Sequence, residues 1–415
     1  MASSARTPRK RSRGTRRARE WLVRGALVAL SLSLAFVSVR ASLGWVVAPI
    51  DPARAYRLAP ANGQITGRYA QQQFSSQITS DPQSTATTLA KRALLSDATA
   101  VDALTVLGFQ AQLRGESANA DALFRYSMAL SRRELRPRIW AIESAVNRGD
   151  IAGALFNYDI ALRSSREAGL LLFPSLGSAL REPRIRALLM PILAGSSPWR
   201  DNFFVYIAAH GIAPEGLAAL LAEGRTKGIT ASEPVQVQTI DALLLAKQPE
   251  EAWQLYRHLR GNVSRLASRN LALSLSATQQ SAFDWRVGED NRLGAAILND
   301  AGRGIIDFVV PPQLGGVLAS QTQLLPPGRY RLTGRSKGLA QPQSAQPYWA
   351  MVCSDNRELG RVAVPNSDIM GGQFEGAFTV PQNCPVQTLH LVARSSANIA
   401  GVSGQIIDVR LDSVR

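Results

Sequence analysis

Hydrophobic positions change their spacing twice along the chain. Near the N-terminus they form one run, residues 25–39, that contains no charge. From about residue 83 to 262 the chain is rich in Ala, Leu and Arg, and apolar residues recur at helical spacing. From about residue 280 short Val/Ile/Thr/Tyr runs are separated by Gly and Pro turn pairs. The pattern predicts an apolar N-terminal helix, a helical domain and an antiparallel β-domain, in that order.

The first run predicts a transmembrane or signal-anchor helix over 21–45. A spanning helix needs roughly 20 apolar residues. Residues 21–39 approach that length if Arg24 extends its guanidinium to the lipid headgroups. A cleaved signal peptide, with the small residue Ala41 at a possible cleavage point, is the alternative.

Charge is concentrated before this run. Residues 1–24 hold nine basic residues and one acidic residue, which is half of the formal net charge of +16. A basic tail beside a membrane segment favours anionic lipid over nucleic acid, and we expect no nucleic-acid partner. Positive charge holds that end in the cytoplasm. We therefore expect a cytoplasmic tail over 1–20 and an exported remainder, periplasmic or otherwise extracytoplasmic, or secreted if the signal is cleaved.

The two cysteines, Cys353 and Cys384, lie in the last third of the chain. A cysteine pair confined to one domain of an exported chain predicts a disulfide. The three histidines are scattered, which argues against a structural zinc site, and we expect no metal and no cofactor.

Composition divides the rest of the chain into three parts. Residues 46–82 are rich in Pro, Gln, Gly and Ser and are interpreted as a polar spacer. A helical-repeat domain is predicted over 83–265 and a β-sandwich over 280–415, with a small, polar boundary near 271–281.

The helical part contains an internal repeat with a period of roughly 34 residues. The same residue types return at this spacing in five sets of positions, which combine small residues, aromatic residues and glycine. The sets are Ala86/Ala120/Ala154, Ala93/Ser127/Ala161, Leu94/Met128/Leu162, Gly115/Gly149 and Phe124/Tyr158.

The stretch with Leu107-Gly108, Gly115, Ala120, Phe124 and Ser127 resembles a tetratricopeptide repeat (TPR). The resemblance covers residues 67–168 well, and implies pairs of antiparallel helices stacked into a solenoid. The next unit departs from the family where Ala141-Ile142 replaces the usual Leu-Gly pair. An irregular helical bundle is the alternative. A further degenerate unit is predicted over 235–262, where the matching positions are Ala252, Tyr256 and Leu259.

The resemblance also implies a concave surface lined by the first helix of each pair, suited to an extended peptide or another protein. In the clearest units that surface includes Phe109, Gln112, Glu143 and Asn147. We expect these four residues to contact a protein partner. The Lys/Asn carboxylate clamp of chaperone-adaptor repeats is not reproduced.

About eight short strands predict a jelly-roll-like antiparallel sandwich. In pattern it resembles a carbohydrate-binding or galactose-binding-like module. Tyr348 and Trp349 are adjacent, so in a strand they face opposite sides, and the outward one is a candidate for stacking on a sugar. The alternative is that one of the two is a core residue and the other an edge residue, and that neither binds a ligand. The candidate strands include 283–287, 304–310, 329–334, 348–353, 373–380, 389–394 and 405–414.

Catalysis is not the expected role. The chain has no Gly-x-Ser-x-Gly elbow. Asp355, Glu358, Asp368 and Glu375 are the only clustered carboxylates considered for glycoside hydrolysis, and two of them lie in turn-forming sequences. By resemblance, an anchored helical repeat with a β-sandwich implies a membrane-anchored scaffold in cell-envelope assembly, with surface-polysaccharide export or assembly as one setting. A glycan-binding protein or a carbohydrate-active enzyme acting through the sandwich is the alternative.

Overall fold

The computed structural model describes residues 13–195, 197–261, 263–269, 279–300 and 303–414. Residues 1–12 of the basic tail and 270–278 of the predicted boundary lie outside these ranges. The chain divides into two compact units, Met1–Ser165 and Arg166–Arg415.

Eight helices are described in the first unit. They are α1 (Arg13–Val47), α2 (Pro52–Leu58), α3 (Gly63–Ser76), α4 (Thr85–Ser96), α5 (Val101–Leu113), α6 (Ser117–Leu130), α7 (Leu135–Asn147) and α8 (Ile151–Ser164).

Within α1, the stretch Glu20–Val47 is long and apolar enough to cross a membrane, a property that signal sequences near an N-terminus share. Its large apolar side chains, such as Leu30 and Phe36, are exposed along the helix. The end of α1 packs near α2 and α3, because Ala48, Ala55 and Ile65 form a small buried cluster.

Residues 46–82, expected to be a polar spacer, instead contain α2 and α3. Asp51 caps α2, whose first residue is Pro52, and Asn62 caps α3. A side-chain cap and a proline in the first turn start helices, so these residue types do not mark a linker here. Ala70 of α3 is fully buried in a cluster with residues of α4 and α5.

The period of the sequence repeat is visible in the helix bounds. The pair α7 and α8 begins and ends one full period after the pair α5 and α6. The turns match as well: Gly115 and Gly149 have φ of +77° and +72°, in the left-handed region that favours glycine. The first unit therefore contains a helical repeat.

The aromatic and small positions explain how each helix pair packs. A Cβ on Gly108 would lie 2.7 Å from the ring of Phe124, so glycine allows that ring to sit against α5. In the next pair Ile142 is buried where Gly108 stood, and Tyr158 remains half-buried where Phe124 was fully buried.

Six further helices are described in the second unit: α9 (Ala168–Ala179), α10 (Pro183–Ala194), α11 (Arg200–Ala209), α12 (Pro214–Gly224), α13 (Glu233–Leu245) and α14 (Pro249–Arg260). The pair α13 and α14 coincides with the degenerate unit. Ala252 and Tyr256 are buried, and Lys247, at φ +60°, takes the place of the turn glycine.

The C-terminal part is a β-sandwich of two antiparallel sheets. The first sheet has the order β1-β4-β9-β6-β7, and the second has the order β2-β3-β10-β5-β8. The strands described are β1 (Arg286–Val287), β2 (Gly294–Asp300), β3 (Arg303–Val310), β4 (Gly316–Gln323), β5 (Gly328–Lys337), β6 (Tyr348–Cys353), β7 (Glu358–Ala363), β8 (Gln373–Val380), β9 (Gln387–Ala393) and β10 (Val402–Ser413).

The last strand contains a bulge that its alternating sequence conceals. Its pairing with β5 shifts register between Ile407 and Arg410, and Asp408 has φ +55°. Consequently Ile406, Val409 and Leu411 face the core while Ile407 is half-buried, because a bulge changes which side chains point inward.

The predicted disulfide is present. Cys353, at the end of β6, is bonded to Cys384, in the turn before β9. The bond joins the end of β6 to the turn between β8 and β9 and closes a loop that contains β7 and β8.

Candidate functional site

Phe109, the first predicted partner-binding residue, belongs to an aromatic row in the first unit. Its ring stacks on Phe74 of α3 at 6.2 Å between centroids and meets Phe124 edge-on at 5.0 Å. Trp140 of α7 continues the row, with its ring 4.5 Å from that of Phe124. Phe109 is half-buried and so contributes mainly to packing.

The structure brings Gln112 of α5 next to α7, because the indole N–H of Trp140 donates to its side-chain oxygen at 3.4 Å. Glu143 and Asn147 are exposed on α7. Between these polar residues lie two apolar side chains that the sequence analysis did not select, Leu113 at 50% exposure and Val146 at 51%. We call Gln112, Leu113, Glu143, Val146 and Asn147 the first-helix surface.

Trp140 was also missed. The equivalent residue in the preceding unit is Val106, so the repeat gives no aromatic equivalent that would draw attention to it. The presence of a tryptophan on a predicted first helix was the feature by which the sequence could have identified Trp140.

An acidic pair lies where α5 and α7 begin. Burial raises the pKa of Asp102 and of Glu134, and the charge of Asp102 adds to the effect on Glu134. Arg68 of α3, 3.6 Å from the Asp102 carboxylate, and Arg136 oppose both shifts. The start of these helices therefore carries charge that is incompletely compensated.

In the sandwich, Tyr348 and Trp349 face opposite sides of β6, as their adjacency requires. Trp349 is fully buried and packs edge-on against Trp285 at 5.7 Å between ring centroids. It lies in the core between the sheets, so it is not available to stack on a ligand. Only Tyr348, half-buried, lies on the outer face of its sheet.

Two arginines cover the Tyr348 ring. The guanidinium carbon of Arg361, on β7, lies 4.7 Å from the ring centroid, and that of Arg394, just after β9, lies 4.9 Å away. Strand β6 is between β7 and β9, so these arginines approach from neighbouring strands on either side. Arg361 is also bonded to Glu358 at 2.5 Å. The outer face therefore presents an aromatic ring framed by positive charge, which we call the Tyr348 face.

His390 extends this face along β9. It pairs with Ala350 of β6 and Ser320 of β4, and burial lowers its pKa. Its Nδ1 has no hydrogen-bond partner among the described residues. The lowered pKa favours a neutral imidazole, which adds a hydrogen-bonding group to this face of the sheet.

The carboxylates considered for hydrolysis are not gathered at one place. Glu358 lies on β7 and Glu375 on β8, which belong to different sheets. Asp355, Glu358 and Glu375 each lie within 4 Å of an arginine. Asp368 is exposed in the segment between β7 and β8.

Comparisons with known proteins identify no family. No family model matches the chain, and no curated protein matches it. Among solved structures, the chain is similar to TmCBM61 in complex with β-1,4-galactotriose at 17% identity, over 31% of this chain and 88% of that one, with a TM-score of 0.23. It is similar to CsCBM6-3 from Clostridium stercorarium in complex with cellobiose at 17% identity, over 33% and 98%, with a TM-score of 0.20.

A structure described as CBM4 matches at 11% identity, over 35% of this chain and 99% of that one, with a TM-score of 0.26. At these identities and scores the likeness carries no argument about ligand or activity. The function must be argued from the residues of this chain.

A buried polar cluster joins α14 to the sandwich within the second unit. The Arg269 guanidinium donates to the Phe283 carbonyl at 2.9 Å and to the Gln323 side chain at 3.1 Å. It also lies over the ring of Trp253, at 5.4 Å from the centroid. Burial lowers the pKa of Arg269 to about 10. The sequence analysis placed this residue beside a linker, where a buried cation was not expected.

The same cluster contains an acid and a phenol. The Tyr256 hydroxyl donates to Asp284 at 2.9 Å, and Arg260 donates to the other oxygen of that carboxylate at 3.2 Å. Burial, and then the charge of Asp284, raise the pKa of Tyr256. Tyr256, Arg260 and Arg269 all donate to neighbours within the cluster, although Nε of Arg260 has no partner among the described residues. We interpret the cluster as a structural joint.

Proposed function

We propose that the protein is a membrane-tethered scaffold that binds a protein partner through the first-helix surface. The supporting observation is the repetition of the two helix pairs at a constant period, which aligns Leu113 with Asn147 and Gln112 with Val146 in successive units. Equivalent exposed positions on adjacent helices suit a partner that runs across them. The surface mixes apolar, amide and acidic groups, as expected of a protein interface.

We further propose that these helix pairs are tetratricopeptide repeats. Gly108 against Phe124, the buried small residues Ala120 and Ala154, and the left-handed turn at Gly115 support this assignment. The departure at Ile142 weakens the agreement of the second unit with the family pattern.

The tether and the compartment are part of the proposal. The span Glu20–Val47 would hold the protein in the membrane, with the basic tail in the cytoplasm. The Cys353–Cys384 disulfide supports an oxidising compartment for the remainder. Such a scaffold would serve assembly at the cell envelope, where a surface polysaccharide is one candidate product.

The test uses a photo-crosslinking amino acid placed at Asn147 of the full-length protein in intact membranes. A matched control carries it at Arg125, which is exposed on the second helix α6. We expect a defined protein adduct, identified by mass spectrometry, at Asn147 only. Adding the substitutions Glu143→Lys and Val146→Asp together should remove the adduct at Asn147. No adduct at Asn147, or the same adduct at both positions, would contradict the proposal.

A second candidate function, glycan binding, is favoured by the Tyr348 face. The half-buried Tyr348 ring and the guanidiniums of Arg361 and Arg394 that lie over it combine an aromatic side chain with hydrogen-bond donors. Retention of the full-length protein on a polysaccharide array tests it. Tyr348→Ala should abolish retention, whereas Tyr126→Ala, at an exposed tyrosine of the first unit, should not. Absence of retention, or equal loss in both variants, would reject this role.

A carbohydrate-active enzyme remains the rival proposal for the same domain. It requires Asp355 or Glu358 to act as acid or base, although arginines engage both. Turnover of a glycoside that is lost in Glu358→Gln with retained binding would favour it over the scaffold.

A further inference from the structure

A cleft opens in the helical part of the second unit, between α12 and α14. Its volume is about 330 Å³, and it is bordered by residues 229–231 and by Gln236 of α13. A second hollow of about 370 Å³ shares Arg225, Gln254 and His258 with it. Small-molecule and peptide-side-chain pockets have roughly this size.

The cleft has an apolar floor. Ala218 and Leu221 on α12 and Leu255 on α14 line it, and Ile229 closes it from the connection to α13. Leu221, Leu255 and Ile229 are buried. Small side chains on α12 leave the room that apolar side chains of a ligand would fill.

Charge is distributed unevenly along the cleft. Glu215 and Glu251 line it near the beginning of α12 and α14, whereas Arg225 and His258 line it near the ends of the same helices. Seven residues separate Glu251 from His258, or about 10 Å at 1.5 Å per residue. This length corresponds to roughly three residues of extended chain. The cleft is therefore acidic at one end and cationic at the other.

The two arginines at the cationic end are available to a ligand. Arg181 engages Glu215 at 2.6 Å, but within the described residues neither Arg225 nor Arg257 forms an ion pair. Nδ1 of His258 bonds to the backbone carbonyl of Gln254 at 2.7 Å, which must accept, so Nε2 is the ring atom left for other contacts.

Helix dipoles offer a simpler reason for each arginine separately, since Arg225 and Arg257 both lie at helix C-termini. That reason does not explain why cations from two helices line one hollow. Their convergence beside an apolar floor matches a ligand with both a negative group and apolar side chains.

We propose that this cleft binds a short extended peptide that carries a carboxylate, contributed by a partner protein. The carboxylate would pair with Arg225 and Arg257, an apolar side chain would occupy the floor, and the amides of Gln236 and Gln254 would bond the peptide backbone. The site lies in the second unit and does not depend on the first-helix surface. The carboxylate is either a chain terminus or an acidic side chain.

The test is an array of synthetic pentapeptides built from Ala, Leu, Ser and Gln, with one Asp, one Lys or neither. Each is synthesised with a free and with an amidated C-terminus, and the purified full-length protein is applied in detergent. We expect binding only to peptides with a carboxylate. Preference for free termini identifies the terminal carboxylate, and binding of amidated Asp peptides identifies the side chain.

The best peptide is then titrated against variants by fluorescence anisotropy. Arg225→Ala combined with Arg257→Ala should weaken binding by at least about tenfold, as the loss of charge-assisted hydrogen bonds predicts. Arg184→Ala, at an exposed arginine of α10, should not. These residues are exposed, and circular dichroism verifies that the variants fold. Three outcomes would overturn the proposal. They are binding of the amidated neutral or Lys peptides as strong as that of the carboxylate peptides, no binding at about 1 mM, the scale of weak complexes, and an unaffected double variant.

Discussion

Arg269 shows how strongly a single side chain can be tied to its surroundings. It is buried, and it donates to the Phe283 carbonyl and the Gln323 side chain while it lies over the Trp253 ring of α14. Burying a cation is unfavourable unless hydrogen bonds compensate, and removing it leaves those acceptors without a donor. Nothing in the sequence distinguishes Arg269 from the exposed arginines nearby, because its burial depends on contacts with residues far along the chain.

We therefore expect Arg269→Met to lower the free energy of unfolding of the second unit by about 3 kcal/mol. The matched control is Arg265→Met, since Arg265 also lies over the Trp253 ring but pairs with Glu250 at the surface. That substitution should cost about 1 kcal/mol or less. Urea unfolding followed by tryptophan fluorescence measures both, and equal effects would refute a special role for Arg269.

Gly108 and Gly115 are required for different reasons. A Cβ at Gly108 would collide with the Phe124 ring, whereas at Gly115 space is open and only the positive φ is demanding. We expect Gly108→Ala to destabilise the first unit by about 1–3 kcal/mol through overpacking. Gly115→Asn should cost under about 1 kcal/mol, because Asn tolerates the left-handed region. Thermal unfolding of both variants compares the two, and a harmless Gly108→Ala would contradict the proposed packing of Phe124.

At the scale of elements, the sequence predicted what periodicity and turn residues encode. The bounds of β6 and β8 agree with the prediction, and the turn at Gly149 recurs one period after that at Gly115. It missed β2, β4 and β7, whose residues alternate weakly between apolar and polar. It also misjudged 46–82, since caps and prolines that begin helices have the composition of a linker.

The beginnings of α5 and α7 should give the first unit an unusual pH dependence. Folding raises the pKa of Asp102, so the unfolded chain loses this proton at a lower pH than the folded protein. The contribution of Asp102 to the free energy of unfolding is most favourable below the pKa that this residue has in the unfolded chain. It is lost as the pH rises through the pKa of the folded state. Asp102→Asn should therefore gain stability relative to the native protein as the pH rises from about 4.

Asp97 provides a control of opposite sign. Hydrogen bonds from Thr99 lower its pKa, so its contribution is present at higher pH and lost as the pH falls. Asp97→Asn should then differ most from the native protein near neutral pH, as a loss of stability. Denaturation curves from about pH 3 to 7, which spans the ordinary pKa of a carboxyl group, measure the stability of each variant relative to the native protein. A pH dependence of the same sign in the two variants would contradict the opposite pKa shifts of Asp102 and Asp97.

At the scale of the molecule, the sequence predicted more residues of the proposed binding surface in the first unit than of the one in the sandwich. Gln112, Glu143 and Asn147 are on adjacent first helices, as the repeat required, but their ligand is still a proposal. Trp349 lies in the core. The sequence could not select it, because alternation along a strand shows that neighbouring side chains face opposite sides but not which of them faces inward. The arginines that frame Tyr348 come from other strands, and strand order is not readable from composition.

The disulfide and α1 together allow the topology to be tested. If the span Glu20–Val47 exports the chain, Cys353 and Cys384 are oxidised and resist a maleimide-polymer reagent until they are reduced. Leu30→Arg combined with Leu34→Arg places two charges in the apolar segment and should block insertion. The thiols of that variant should react without prior reduction, each adduct adding one step of mass on a gel.

The same gel distinguishes an anchor from a cleaved signal. An epitope tag before the basic tail stays on the membrane-bound chain if α1 is an anchor, and is lost if the segment is cleaved. Leu95→Arg, at an exposed leucine of α4, serves as the control that should leave both readouts unchanged. Oxidised cysteines in the double-arginine variant, or reactive thiols in the native chain, would contradict export. Because both cysteines lie within the sandwich, the state of the disulfide reports the compartment in which the sandwich itself folds.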